Sequence, residues 1–544
     1  MNLTSNNWIL SLGTFLPIAG VILLMLIPKR EELLIKQVAV LTAAATLAVG
    51  IATLALFKYN HADAQQFAVS TSWIKPIRAT YTIGLDGISL PLYILSMVIT
   101  LLVMIYSWNH VPEPGNPKAF FSLMLVLQVG MAGTFIAQDL ILFFVFFEVV
   151  LLPMYFLIGV WGGENRQYAS LKFFLYTMFG SALMLVSFIA LFILTKGNTD
   201  PNGSFAFSWF EAHGSGIATT TAVWVFAGMF VGFAVKVPMF PFHTWLPDAH
   251  TQAPTQGSVI LAAVMLKLGT YGFVRIAIPF LPQAAVKWAP WIGVLAVIGI
   301  IYGALGCLAQ TDMKRLIAFS SVAHMGFVML GISTLTSLGI NAAMFGMVAH
   351  GLITGMLFFV AGSVKERYHT LEIRRLTGLL KQVPKLGWIM GFCAMASLGL
   401  PGLAGFWGEF PAILSAYNPL HGDGLPFGGL SLPTFRVYMI IASIGTVLAA
   451  AYLLWLYQRT AFGEPNPEFV TETHRGDAHL AHSVGAAANP HDDEHAEITD
   501  VNIFEWIAWV PLLVGILVLG VYPQLLFKVT DPAVTHLLGV FGGK

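Results

Sequence analysis

Residues 236–272 read KVPMFPFHTWLPDAHTQAPTQGSVILAAVMLKLGTYG, and two lysines, Lys236 and Lys267, stand in apolar surroundings at its two ends. The segment before it, AVWVFAGMFVGFAV (222–235), and the run GSVILAAVMLKLGTYGF (257–273) are both long and apolar, as membrane-crossing helices are. A lysine near the middle of a bilayer costs about 2.5–3.5 kcal/mol on insertion scales, so its presence points to function. Two acids extend the pattern: Glu148 in LILFFVFFEVVLLPMYFL (140–157) and Glu409 in GLPGLAGFWGEFPAIL (399–414). Isolated charges in hydrocarbon neutralise, so ionisable groups spread over several helices suggest sites that gain and lose protons.

The rest of the chain has the same character. Of its 544 residues 57% are apolar and 10% charged, with a mean hydropathy of +0.77. Soluble domains carry about 25% charged residues, so this is an integral membrane protein. Roughly 14 apolar stretches have the length of a span, about 20 residues each. They are continuous and do not alternate, which excludes a β-barrel and predicts an all-α polytopic fold. The net charge is zero, and nothing points to nucleic acid. Cys307 and Cys393 lie in separate apolar stretches without any Cys/His spacing for a metal, haem or iron–sulfur site. Most loop lysines and arginines, the cluster from Lys365 to Lys385 above all, fall inside if both termini lie on the outer side.

Two helices, the seventh and the twelfth, read as broken. Pro238 and Pro241 follow Lys236 closely, and Gly399, Pro401, Gly402 and Gly405 precede Glu409. Broken helices at membrane depth survive only inside protein or beside water, and a matched pair of them suggests inverted repeats. On this reading residues 1–110 hold helices 1–3 and 111–280 the first five-helix repeat (helices 4–8). Residues 281–460 hold the second, inverted repeat (helices 9–13), 461–503 a polar His/Asp-rich loop, and 504–544 helix 14. His243, His324 and His350 sit among apolar residues, in the same set of helices as the two lysines. Ser320, Ser321 and Thr354 lie about one turn from two of them, where hydroxyls can orient imidazoles or hold water. Glu148 is the natural charge partner for Lys236, and a lysine as deep as Lys267 cannot snorkel to an interface.

The segment 236–272, together with DMKRLIAFSSVAHMGFV (312–328) and AHGLITGMLFFVAGSV (349–364), resembles the antiporter-like subunits of respiratory complex I and of Mrp-type cation/proton antiporters. The resemblance covers residues 80 to 460. Most members carry a lysine in broken helix 12. Glu409 in its place, and the run FFVFFEVVLLPMYFLIGVWGG (143–163), look like the M-type (chain 4) branch found in proton-translocating NADH–quinone oxidoreductase. This resemblance implies a proton relay: Glu148 and Lys236 as a charge-coupled pair, His243 between Lys236 and Lys267, Lys267 as the centre, His324 and His350 onward, and Glu409 as the terminal site. It also implies that flavin, iron–sulfur clusters and quinone belong to partner subunits and none to this chain. The expected partners are the antiporter-like L and N neighbours, the lipid bilayer and protons, and the expected setting is a bacterial-type inner membrane. The alternatives are an Mrp-type antiporter subunit or the membrane subunit of a hydrogenase-type complex.

Overall fold

The computed structural model describes residues 7–196, 203–469 and 498–542. Among these, thirteen helices are long and apolar enough to cross a membrane. We label them in chain order: α1 Trp8–Leu26, α2 Glu32–Leu56, α3 Ser89–Tyr106, α4 Pro117–Ile136, α5 Leu140–Trp161, α6 Arg166–Thr195, α7 Thr219–Lys236, α8 Thr255–Phe280, α9 Pro282–Leu308, α10 Met313–Ser333 and α11 Ser337–Tyr368. Next come the two short helices Pro384–Ser397 (α12a) and Ala404–Ser415 (α12b). The set ends with α13 Leu432–Ala461 and α14 Ile503–Val521. An amphipathic helix, α15 (Gln524–Leu538), follows. The stretch expected as a fourteenth span is thus two pieces, about 21 and 18 Å long by helical rise, each too short to cross alone.

The all-α expectation needs one correction. Between α2 and α3 the chain forms an antiparallel hairpin, β1 (Gln66–Ile74) with β2 (Ala79–Leu85). Its strands are rich in β-branched and aromatic residues, QFAVSTSWI and ATYTIGL, and are too short and polar for a span. Most of the polar loop, residues 470–497, lies outside the described residues.

Helix ends follow local chemistry. Asp139 caps α5 by accepting from the N–H groups of Ile141 (2.9 Å) and Leu142 (3.2 Å). Asp312 caps α10 through Arg315 N–H at 2.7 Å, and Asn502 with Glu505 forms a capping box on α14. At the end of α7 the Trp245 indole donates to the Val235 carbonyl at 2.9 Å. Where the helix breaks, a side chain therefore satisfies a carbonyl that would otherwise be orphaned. At the second break Gly399 and Gly402 have φ of +80° and +94°, which the missing side chain permits.

The core is organised around α8 and α11. Their apolar windows are wholly buried, whereas those of α2 and α13 are 28% buried and turn most of their surface outward. The α8 helix is irregular: π-helical turns at Leu261–Met265 and Phe273–Ala277 flank the regular segment that carries Lys267. Close approach at glycines brings the axis together. A Cβ on Gly269 would lie 2.6 Å from the Phe233 carbonyl of α7, and one on Gly408 would lie 2.5 Å from the Gly346 Cα of α11.

Candidate functional site

The glycine contact between α11 and α12b sets one wall of a buried polar cluster. One helical turn beyond Gly346 on α11 stands His350, and next to Gly408 on α12b stands Glu409. Lys267 of α8 is fully buried, and its Nζ lies 2.8 Å from His350 Nδ1. The same ammonium also donates to the Ala262 carbonyl, in the first π-helical turn of its own helix. His324 of α10 reaches Glu409: its Nδ1 is 2.6 Å from Glu409 Oε1. The two imidazole rings have centroids 6.1 Å apart and are tilted by 59° to one another. Beside them lies a cavity of about 20 Å³, lined by His324, His350, Thr354, Ser397 and Glu409 together with apolar Phe327, Val328 and Ile353. A space of that size has room for one water. His350 Nε2 and Glu409 Oε2 are buried without a protein partner, and both residues line the cavity. Four ionisable side chains from four helices thus stand in one polar file. An amine, two imidazoles and a carboxylate at these separations can exchange protons by rotation and tautomer change, with one intervening water.

Two members of this cluster escaped the sequence reading. Tyr452 of α13 and Ser397 of α12a place their hydroxyls 3.0 and 3.1 Å from His324 Nε2. Tyr452 lies in AAAYLLW, where an aromatic among alanines and leucines reads as packing.

The other expected residues are less tightly joined. Lys236, the last residue of α7, is 2% exposed. Its Nζ and the Oε1 of Glu148 are both buried without a hydrogen-bond partner among the described residues. The two charges act on one another electrostatically without touching. Lys236 Nζ lies instead over the Phe147 ring, 4.8 Å from its centroid. His243 is 3% exposed and packs against Phe240 and Tyr302, ring centroids 5.7 and 4.8 Å away, and no hydrogen bond joins its imidazole to either lysine. A further buried histidine escaped the sequence reading. His250 is fully buried and stacked on Phe358 at 4.4 Å, with both ring nitrogens free of protein partners, and it feels the charges of Lys314 and Lys267. Its position in LPDAHTQAPT, a polar stretch, concealed it.

Two cations near the ends of apolar runs, Arg275 and Lys314, are also buried. Arg275 sits in the second π-helical turn of α8, its guanidinium 2.7 Å from Asp86. Lys314 sits in the first turn of α10 and donates to the Ala253 carbonyl. Lys314 also lines a cavity of about 680 Å³ with His110, Gln256, Lys365, Glu366 and Arg367. Among the described residues His110, Glu366 and Glu505 bring ligand-type atoms within 4.8 Å of one another. Their existing partners account for that cluster: His110 Nε2 pairs with Glu366 at 3.1 Å, and Arg367 pairs with Glu505 at 2.7 Å.

Comparison with known proteins agrees with this architecture. Residues 137–421 match the family model described as NADH:quinone oxidoreductase/Mrp antiporter, TM, and residues 12–134 match NADH-ubiquinone oxidoreductase chain 4, amino terminus. The chain is 38% identical to NADH-quinone oxidoreductase subunit M of Rhodobacter capsulatus, over 97% of this chain and 96% of that one. It is 40% identical to an NAD(P)H-quinone oxidoreductase chain 4 of Synechococcus, over 79% of this chain and 80% of that one. In structure it resembles a chain of respiratory complex I from Thermus thermophilus, with a TM-score of 0.80, 26% identity, and coverage of 98% and 100%. A chain of the Mrp complex from Dietzia shares the fold, with a TM-score of 0.78 at 19% identity and full coverage of both chains. The chain therefore belongs to the NADH:quinone oxidoreductase/Mrp antiporter membrane family, and within it to the subunit M (chain 4) branch of NADH–quinone oxidoreductase.

Proposed function

We propose that the chain is a proton-translocating membrane subunit of NADH–quinone oxidoreductase, and that its relay runs from Glu148 and Lys236 through Lys267, His350 and His324 to Glu409. One observation carries the reading: Lys267 contacts His350 at 2.8 Å and His324 contacts Glu409 at 2.6 Å, with a small cavity lined by members of both pairs. A set of buried ion pairs that merely lock helices would not leave His350 Nε2 and Glu409 Oε2 facing a shared cavity. In this scheme redox chemistry in partner subunits alters the charge next to this chain. Glu148 then moves toward or away from Lys236. Bringing two unit charges to about 4 Å is worth about 4 kcal/mol at an effective dielectric near 20. That is ample to change whether Lys236 holds its proton. The released proton passes to Lys267, and Glu409 discharges one on the far side. His243 is the side chain nearest in sequence to bridge Lys236 and Lys267, and it does so by way of water.

The broken helices fit two inverted repeats, helices 4–8 and 9–13, each contributing one half of the relay. The basic cluster from Lys365 to Lys385 favours an inner-side loop and hence both termini outside, in a bacterial inner membrane. The neighbours in this assignment are the antiporter-like L and N subunits, and flavin, iron–sulfur clusters and quinone reside in other subunits.

The test is proton pumping by the intact complex in proteoliposomes. Glu148→Ala, Lys236→Ala, Lys267→Ala and Glu409→Ala should each assemble yet lose most pumping-coupled turnover. Wild-type acidification in assembled Lys267→Ala or Glu409→Ala complex would overturn the relay.

A further inference from the structure

Lys236 presents a physical problem that the relay alone does not solve. Its ammonium is buried, lacks any hydrogen-bond partner among the described residues, and is not in contact with Glu148. On the helices that pack most closely on α7 the charged side chains are Arg166 and Lys172 of α6, Lys267 and Arg275 of α8, and Lys287 of α9, with Lys172 paired to Asp248 and Arg275 to Asp86. Among the described residues the carboxylate whose charge acts on Lys236 is Glu148 of α5, the helix that packs on α7 through Phe143 and Phe147. An ammonium in such a place needs another source of negative potential whenever Glu148 is turned away.

The Phe147 ring supplies one. Lys236 Nζ stands 4.8 Å from its centroid, inside the range where the ring quadrupole attracts a cation, and desolvation strengthens the attraction. The ring is held in place. Phe147 is 1% exposed and packs on Phe143 and Phe233, with centroids 5.6 and 6.3 Å away. Phe147 and Glu148 are successive residues, next to the turn at Val150 that divides α5 into Leu140–Val149 and Leu151–Trp161. Successive helical positions differ by about 100° around the axis. A flexible four-carbon stem lets the Lys236 ammonium change its distance to the ring and to the carboxylate.

We propose that Phe147 is a positioning residue for proton transfer: its ring is the seat that the Lys236 ammonium occupies when it is not paired with Glu148. The lysine then has two seats on adjacent residues, one neutral and one charged. The neutral seat holds the ammonium more weakly than the carboxylate does, so that the proton is released onward and is not returned to Glu148. This rests on the preceding reading of Lys236 as a proton carrier.

The experiment replaces Phe147 in the intact complex with mono-, di- and trifluorinated phenylalanine, which drain the ring's negative face stepwise while keeping its shape. Pumping in proteoliposomes is followed against pH. The alkaline limb of the profile should move to lower pH with each fluorine, by about 0.5 unit at full substitution. Phe147→Trp, a stronger cation binder, should move it the other way. A profile that stays put across the fluorinated series and in Phe147→Trp overturns the proposal. Lys236→Met separates the two claims. If it abolishes pumping while the fluorinated series is flat, the Phe147 seat alone is wrong. If it pumps normally, the role of Lys236 fails and the seat with it.

Discussion

His324 has both ring nitrogens engaged, Nδ1 by Glu409 and Nε2 by the hydroxyls of Ser397 and Tyr452. A neutral imidazole offers one donor and one acceptor, and a hydroxyl can fill either role. Nε2 thus stays paired in either tautomer, which a carbonyl in place of the hydroxyls would not allow, and Nδ1 stays paired when Glu409 takes up the proton that Nδ1 gives up. Two hydroxyls on one nitrogen are partly redundant. Tyr452→Phe or Ser397→Ala should each weaken the site by about 0.5–1.5 kcal/mol, about two- to tenfold in coupled turnover. The double substitution leaves Nε2 bare in a buried site, so its loss should exceed the sum of the two by about 0.5–3 kcal/mol. Turnover of the three variants in proteoliposomes checks this, and strict additivity would show that the hydroxyls do not share one task. The contrast in legibility is chemical. Lys267, His350, His324 and Glu409 stood out because ionisable groups are costly among leucines and valines. Tyr452 did not, because its ring is ordinary in a core and only its hydroxyl is informative.

At the scale of elements, the site depends on how closely α11 and α12b can approach. Gly408 and Gly346 meet backbone to backbone, but not symmetrically. A Cβ on Gly408 would lie 2.5 Å from the Gly346 Cα, whereas a Cβ on Gly346 would first meet Val328 Cγ2 at 3.0 Å and then the Gly408 Cα at 3.5 Å. Gly408→Ala should therefore cost more than Gly346→Ala, about 1–3 kcal/mol for an overpacked contact that cannot relax. It should also lengthen the adjacent His324–Glu409 contact. Thermal melting of the purified complex, with pumping measured on the assembled fraction, ranks the two. Equal effects would mean that α12b is free to shift. The break in this helix was legible because Gly399, Pro401 and Gly402 concentrate where a continuous span would need helix formers. The close contact was not, since a glycine in an apolar run does not say which neighbour it admits. The β1–β2 hairpin was missed for a different reason. Hydropathy separates spans from loops, and a short pair of strands of mixed polarity looks like loop on that measure.

Across the whole molecule, α3 is tied at both ends to the two wholly buried helices. Asp86, just before α3, pairs with Arg275 of α8 at 2.7 Å, and His110, just after it, pairs with Glu366 of α11 at 3.1 Å. Arg367, next to Glu366, reaches Glu505 of α14 at 2.7 Å. These latches sit at the ends of the bundle, away from the relay file, and they went unseen because a lysine or arginine between two apolar runs looks like a loop residue. Arg275 matters most, since it lies in the π-helical turn immediately beyond the segment that holds Lys267. Its partner is thoroughly committed: Asp86 also accepts from the N–H groups of Ile88 and Ser89, both at 3.0 Å, and from Gln65 at 2.8 Å. Arg275→Met would strand a buried carboxylate, at a cost of about 3–5 kcal/mol. Subunit retention and melting temperature of the purified complex should both fall. Arg275→Gln with Asp86→Asn removes both charges while keeping hydrogen-bonding groups, and should recover part of the loss. If Arg275→Met alone leaves the complex as stable as wild type, the pair is not a latch. If stability falls while the pumping ratio of the surviving complex is unchanged, α8 keeps Lys267 on His350 without help from its end.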